Sequence, residues 1–226
     1  MLEPRTFPDG RDGSVSGIVA YADKLIPGTA PVVVLAHGAG NDMSNPFLSR
    51  VHEGLAAHDF VAIKFNFPYM ERGGGGPDRA PILEACFRAV LDSVRSELQP
   101  PALVIGGKSL GGRMASHLAA QGEKVDGLVF LGYPLHPPRK TEQLRTRHLG
   151  QITAPMLFFA GTRDSLCDLD LLRNTIAILN APTTLHVIPD GDHSFQVLKR
   201  TGRPHDAVLE EIIVTTVNWL RTTLRA

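Results

Sequence analysis

Short apolar runs alternate along this chain with longer segments whose apolar residues recur at helical spacing. Residues 32–36 form a continuous, β-branched apolar run, which is typical of a strand buried on both faces. Residues 81–98 place their apolar side chains on one stripe, which predicts an amphipathic helix. Such alternation favours an α/β fold: a mostly parallel central sheet of about seven strands with helices on both faces.

The pattern predicts specific strands and helices. Helix starts are expected at Asn45, with Pro46 in the first helical position, and at Asp206. No linker separates the two halves, so we predict a single domain over residues 1–226, with residues 1–13 as a loose N-terminal tail. The predicted strands are 14–21, 32–36, 60–67, 103–106, 128–131, 156–160 and 185–188, and the predicted helices are 46–58, 81–98, 110–121, 169–179 and 206–224.

Charge and cysteine content exclude several classes of protein. The 23 basic residues balance 23 acidic residues, so the basic excess of most nucleic-acid-binding proteins is missing. Cys86 and Cys167 form no metal-binding or redox pair. The first residues carry no apolar signal segment and no apolar run is long enough to span a membrane. We therefore expect a cytoplasmic protein with no nucleic-acid or membrane partner.

A serine lies at the turn between a predicted strand and a predicted helix. Gly107-Lys108-Ser109-Leu110-Gly111 matches the G-x-S-x-G pattern, in which a sharp turn holds the serine oxygen at the N-terminus of the helix. Ser109 is the predicted nucleophile. Its alternative role is that of a helix cap.

Serine needs a base to accept its proton and an acid to orient that base. His193 follows the last predicted strand and Asp164 follows the strand before it, so both should reach the same edge of the sheet as Ser109. We predict His193 as the general base and Asp164 as the orienting acid. Asp168 and Asp170 are rival acids that also follow the 156–160 strand.

Two backbone amides are predicted to stabilise a developing oxyanion. The N–H of Leu110 directly follows the nucleophile, and the N–H of Ala39 lies in the turn after the 32–36 strand. Tyr69, Arg72 and Arg113 are candidate substrate-binding residues. Tyr69 and Arg72 could instead belong to a solvated glycine-rich loop, and Arg113 could pair with a neighbouring acid.

Two phosphate-binding patterns begin in this sequence and then fail. Gly107-Lys108-Ser109 resembles the end of a Walker A loop, but Ala102 stands where that loop needs glycine. Gly38-Ala39-Gly40 begins like a dinucleotide fingerprint, but Met43 stands where its third glycine belongs. Nucleotide binding is therefore disfavoured.

A family resemblance rests on five segments over roughly residues 31–196: LAHGAGNDM, FNFPYM, GGKSLGGRM, FAGTRD and GDHSF. The chain resembles the α/β-hydrolase superfamily, in particular its small dienelactone-hydrolase-like branch, and GKSLGGR with FNFPY looks closer to bacterial hydrolases of the KANL-three and testis-expressed type. Dienelactone hydrolase has cysteine where this chain has Ser109. The resemblance implies an α/β-hydrolase fold, and residues 134–150 are too short for a separate cap domain.

These observations together predict a serine hydrolase. It would cleave carboxylic esters or thioesters of small acyl substrates through an acyl-enzyme, with neither a metal nor an organic cofactor. The alternative is a catalytically weak binding or interaction protein with the same fold.

Overall fold

The computed structural model describes residues 1–23, 25 and 28–224, which form an eight-stranded sheet with helices on both faces. The strands are β1 (Leu2–Pro8), β2 (Ser14–Ala20), β3 (Val32–Ala36), β4 (Val61–Phe65), β5 (Leu103–Lys108), β6 (Gly127–Leu131), β7 (Met156–Gly161) and β8 (Thr183–Ile188). The α-helices are α1 (Pro46–Ala57), α2 (Pro68–Glu71), α3 (Ala80–Leu98), α4 (Leu110–Ala120), α5 (Leu169–Ala177) and α6 (His205–Thr223). Two 3₁₀ helices cover Leu149–Gln151 and Lys199–Thr201.

The strand order places the carboxyl ends of six strands along one edge. The order is β1-β2-β4-β3-β5-β6-β7-β8, with β1 and β2 antiparallel to their neighbours and β3 to β8 mutually parallel. The doubly covered, mostly parallel sheet confirms the predicted fold class. In such a sheet the loops after the parallel strands meet at the carboxyl edge, which is where functional sites usually lie.

The core has one layer on each face of the sheet because successive strand residues point to opposite faces. Val32 and Val34 of β3 belong to the layer that includes residues of α3 and α4. Val33 and Leu35 belong to the layer that includes residues of α1 and α6. The central strands are therefore apolar on both sides, which explains their continuous apolar runs.

The N-terminal segment departs from the sequence prediction. The expected loose tail over residues 1–13 is wrong for Leu2–Pro8, which pairs with β2 along its whole length. Phe7 is 3% exposed and lies over the bare backbone of Gly17, so this strand is anchored in the core. Pro4 and Pro8 are compatible with this pairing, because an edge strand tolerates proline. The sheet therefore has eight strands rather than about seven.

The starts of the helices follow the capping rules only in part. The side chain of Asn45 accepts hydrogen bonds from the backbone N–H groups of Phe47 and Leu48, as predicted for the cap of α1. Asp206 is not the cap of α6, because that helix begins one residue earlier and Pro204 precedes it. Asp206 instead places its carboxylate in the first turn, where the helix dipole favours negative charge.

Candidate active site

Ser109 lies on a strained turn between β5 and α4. Its φ of 50° and ψ of −109° are unusual for a residue with a side chain. The turn has space only for glycine on either side of Ser109. A Cβ atom on Gly107 would lie 2.1 Å from the carbonyl oxygen of Ala36, and one on Gly111 would lie 2.2 Å from it. The two glycines of the G-x-S-x-G pattern thus let β5 and α4 approach β3, and the turn holds Ser109 at the sheet edge.

His193 joins the serine to a carboxylate. Its Nε2 lies 2.9 Å from Oγ of Ser109, and its Nδ1 lies 2.8 Å from Oδ2 of Asp164. A proton on Nδ1 facing the carboxylate leaves Nε2 free to accept the serine proton. The loops after β5, β7 and β8 thus bring together three side chains that the sequence placed at separate strand ends.

Asp164 is the carboxylate that contacts the histidine, rather than either rival acid. Its side chain is fully buried, and its second oxygen accepts a 2.8 Å hydrogen bond from the N–H of Leu166. Asp168 instead caps α5, and Asp170 pairs with Arg173. A buried, doubly hydrogen-bonded carboxylate can hold the imidazole in one orientation.

Lys108 makes a hydrogen bond to the backbone of His193, a contact that was not among the sequence predictions. Its Nζ donates a 2.7 Å hydrogen bond to the backbone carbonyl of His193 and lies 5.7 Å from the ring centroid of Phe195. Burial lowers the pKa of Lys108 to about 8, although the charges of Asp164 and Asp192 oppose this shift. The lysine directly before Ser109 in the chain therefore connects β5 to the loop that carries His193.

The turn after β3 packs against Ser109. A Cβ atom on Gly38 would lie 3.6 Å from Cβ of Ser109. Nε2 of His37 accepts a hydrogen bond from the N–H of Phe67, so Nδ1 carries the proton and donates to the carbonyl of Gly38 at 2.9 Å. Burial also lowers the pKa of His37, which favours this neutral form. Because a trans peptide points its C=O and N–H in opposite directions, this contact also fixes where the N–H of Ala39 points.

Tyr69 and Arg72, two of the candidate substrate-binding residues, have partners within the protein. The ring of Tyr69 is 1% exposed and packs between His37 and Phe67. Its hydroxyl lies 3.5 Å from the carbonyl of Gly38, so Tyr69 supports the turn after β3 instead of lining an open pocket. Arg72 is exposed and forms a 2.6 Å ion pair with Asp78.

Arg113, the third candidate, lies one turn of α4 beyond Ser109, on the helix that contacts the segment 134–150 through Ser116. That segment is tied to the sheet and to α4 by hydrogen bonds. Tyr133 donates its hydroxyl hydrogen to the carbonyl of Arg145 at 2.8 Å, and His148 lies 2.8 Å from Oγ of Ser116. The positive charge of Arg113 lowers the pKa values of both Tyr133 and His148, although burial is the larger cause of the shift in each.

A mostly parallel sheet with a serine on a strained strand-to-helix turn has the architecture of an α/β hydrolase. A family model described as an alpha/beta hydrolase domain matches residues 29–221. The chain therefore belongs to the alpha/beta hydrolase family. No helix of the described residues is long and apolar enough to cross a membrane.

Solved structures with this fold cover nearly the whole chain at low sequence identity. XC6422 of Xanthomonas campestris, an α/β serine hydrolase without a lid, has a TM-score of 0.72 and 19% identity, over 96% of this chain and 94% of that chain. Dienelactone hydrolase of Anabaena variabilis has a TM-score of 0.75 and 18% identity, over 98% and 97%. Est1E of Butyrivibrio proteoclasticus has a TM-score of 0.73 and 14% identity, over 96% and 99%. These similarities show the fold, including the lack of a separate cap domain.

Proposed function

We propose that the protein is a serine hydrolase that cleaves carboxylic esters or thioesters of small acyl substrates. The observation that carries this proposal is the continuous hydrogen-bonded chain from Oγ of Ser109 through His193 to the buried carboxylate of Asp164. Proteins of similar fold include a serine hydrolase without a lid and an esterase domain from Rhodothermus marinus, and both support the proposal further.

In the first half of the proposed reaction, Ser109 transfers its proton to Nε2 of His193 as Oγ attacks the carbonyl carbon. The tetrahedral intermediate collapses when the C–O or C–S bond breaks and His193 protonates the leaving alcohol or thiol. Asp164 stays ionised and stabilises the imidazolium. In the second half His193 takes a proton from water as the water oxygen attacks the carbonyl carbon of the acyl-serine. The bond between that carbon and Oγ then breaks, His193 returns the proton to Oγ, and the carboxylic acid is released.

The oxyanion of both intermediates would be bound by the backbone N–H groups of Leu110 and Ala39. Leu110 is the first residue of α4, so its N–H has no partner within the helix. The carbonyl of Gly38 and the N–H of Ala39 belong to one peptide unit. Because Nδ1 of His37 hydrogen-bonds that carbonyl, the N–H of Ala39 points in the opposite direction. Losing one such donor typically lowers kcat by about 10²–10³.

A fluorophosphonate label and a series of 4-nitrophenyl esters test the proposal. Wild-type protein should take up one label on Ser109 and hydrolyse the esters, and Ser109→Ala should abolish both, with a fall in kcat that can reach about 10⁶. Ser96→Ala, which changes an exposed serine on α3, is the matched control and should retain both activities. Wild-type protein that takes up no label would contradict the proposal and favour a binding protein with a hydrolase fold.

A further inference from the structure

Arg113 is half-buried yet has no partner within the described residues. Its Nε is a buried nitrogen without a hydrogen bond. Four other residues also carry such a buried partnerless atom, but each makes a hydrogen bond through another atom of its side chain: Arg5, His52, Asp78 and His205. The side chain of Arg113 makes neither a hydrogen bond nor an ion pair in the part of the chain that the structure describes.

Arg145 is the only other half-buried arginine of the described residues that faces no carboxylate. The remaining half-buried arginines each form an ion pair with a glutamate: Arg5, Arg88, Arg95 and Arg203. Glu142, the acid nearest in sequence to Arg145, is exposed and forms no ion pair with either arginine. Two neighbouring arginines thus lack the counter-charge that the protein supplies to the other four.

Arg113 and Arg145 are linked by a short chain of hydrogen-bonded groups. Oγ of Ser116 donates to the backbone carbonyl of Arg113 at 2.7 Å and lies 3.5 Å from the hydroxyl of Tyr133, which donates to the backbone carbonyl of Arg145 at 2.8 Å. Burial lowers the pKa of Arg145, and the positive charge of Arg113 lowers it further. Both charges also act on Tyr133, whose hydroxyl hydrogen-bonds the backbone carbonyl of Arg145. Because like charges repel and partly buried charges are costly without a counter-ion, this arrangement is stabilised when an anion lies between the two groups.

The position of the pair connects it to the nucleophile. Arg113 lies one helical turn, about 5.4 Å along the axis, beyond the residue that carries the reactive hydroxyl. Side chains on a helix generally lean toward its N-terminus, which favours a position of the Arg113 guanidinium on the Ser109 side of its own Cα. Arg145 belongs to the segment 134–150, which contacts the same helix through His148 and Ser116.

We propose that Arg113 and Arg145 form an anion-binding subsite that holds a carboxylate or phosphate group of the acyl substrate. The planar guanidinium group binds either anion through paired N–H···O hydrogen bonds. The proposed substrate class is therefore an ester or thioester that carries a second, negatively charged group near the scissile carbonyl. This inference deepens the proposed hydrolase function and rests on it for the catalytic step, but anion binding itself does not require catalysis.

A pair of substrates that differ only in charge tests the subsite. The 4-nitrophenyl monoester of glutarate carries a terminal carboxylate where 4-nitrophenyl valerate carries a methyl group. Wild-type protein should prefer the glutarate ester in kcat/KM. Arg113→Met and Arg145→Met should each reduce that preference by about ten- to hundredfold, the range expected for a lost charged hydrogen bond. Arg147→Met, an exposed arginine of the same segment, is the control and should keep the preference.

A binding measurement separates this inference from the hydrolase proposal. Glutarate and inorganic phosphate are added separately to wild-type protein, and the melting temperature is measured for each. The anion that the subsite prefers should raise the melting temperature, and Arg113→Met should abolish that rise. Wild-type protein that hydrolyses valerate but shows neither a preference for the glutarate ester nor a shift with either anion overturns the subsite alone. Protein that never labels at Ser109 but still shows the arginine-dependent shift overturns the hydrolase proposal and retains the anion site.

Discussion

Replacing Lys108 with methionine should slow catalysis far more than it destabilises the fold. The substitution keeps an unbranched apolar stem but removes the Nζ that donates to the carbonyl of His193 at 2.7 Å. Little free space surrounds this hydrogen bond, because a Cβ atom on Gly132 would lie 3.1 Å from that Nζ and 3.2 Å from the same carbonyl oxygen. Without this hydrogen bond, the loop that carries His193 loses a contact with the end of β5.

The size of the effect follows from the contact. A hydrogen bond to a charged group contributes about 1.5–3 kcal/mol, and about 1.4 kcal/mol corresponds to a tenfold change in rate. If the lost energy appears as a misplaced imidazole, kcat should fall by about ten- to hundredfold. Stability should change by only about 1 kcal/mol, because methionine also removes the cost of keeping a partly buried ammonium charged. That cost is visible in the pKa of Lys108, which burial lowers to about 8.

The assay measures the rate of fluorophosphonate labelling, kcat and KM for a nitrophenyl ester, and the urea midpoint on the same samples. Lys124→Met, which changes an exposed lysine far from the histidine in sequence, serves as the control. The reasoning is refuted if Lys108→Met labels at the wild-type rate, or if its lost activity merely tracks the fraction of unfolded protein.

Three further perturbations follow from the described contacts. Asp164→Asn should lower kcat by about 10³–10⁴, because an amide stabilises the wrong imidazole tautomer. Gly111→Ala should destabilise the protein by several kcal/mol, roughly the cost of overpacking, because its Cβ would lie 2.2 Å from a β3 carbonyl oxygen. Acid should destabilise the protein through His52, whose pKa burial lowers from 6.5 to about 4. The unfolded chain binds this proton near pH 6.5 and the folded protein only near pH 4, so the free energy of unfolding falls as the pH drops through that window.

Each of these predictions has a matched measurement. Asp168→Asn keeps a good cap on α5 and should retain kcat, so equal losses in both aspartate variants would contradict the role given to Asp164. Gly150→Ala meets open space and should leave the urea midpoint unchanged, and an unchanged midpoint for Gly111→Ala would contradict the steric reasoning. Unfolding titrations between pH 7 and 4 should show a shallower decline for His52→Gln, and identical slopes would argue against the histidine.

The sequence predicted the parallel part of the sheet because buried strands leave a clear apolar signature. The run at residues 32–36 matches β3 at both ends. The N-terminal strand was missed for a physical reason: Leu2–Pro8 carries two prolines and polar residues, and its strand character comes from pairing with β2 and from burying Phe7. Such tertiary stabilisation leaves little trace in local sequence.

The candidate site likewise contains residues that the sequence predicts and contacts that only the structure reveals. Ser109, Asp164 and His193 could be predicted together because each follows a recognisable strand, and parallel strands end at one edge. The contact of Lys108 with His193 spans 85 residues and depends on side-chain reach, which no local pattern encodes. The missing counter-charge of Arg113 could not be recognised either, since it requires knowing what the segment 134–150 places beside it.

The separation of Ser109, His193 and Asp164 along the chain makes their hydrogen-bonded arrangement dependent on cooperative folding. The serine and the histidine are 84 residues apart, and the histidine and the aspartate are 29 apart, on loops after three different strands. No isolated fragment holding only one of these loops can assemble the hydrogen-bonded chain. The proposed activation of Ser109 therefore requires the loops after β5, β7 and β8 to be in place together, and a fragment that lacks any of them would carry an ordinary, unreactive hydroxyl.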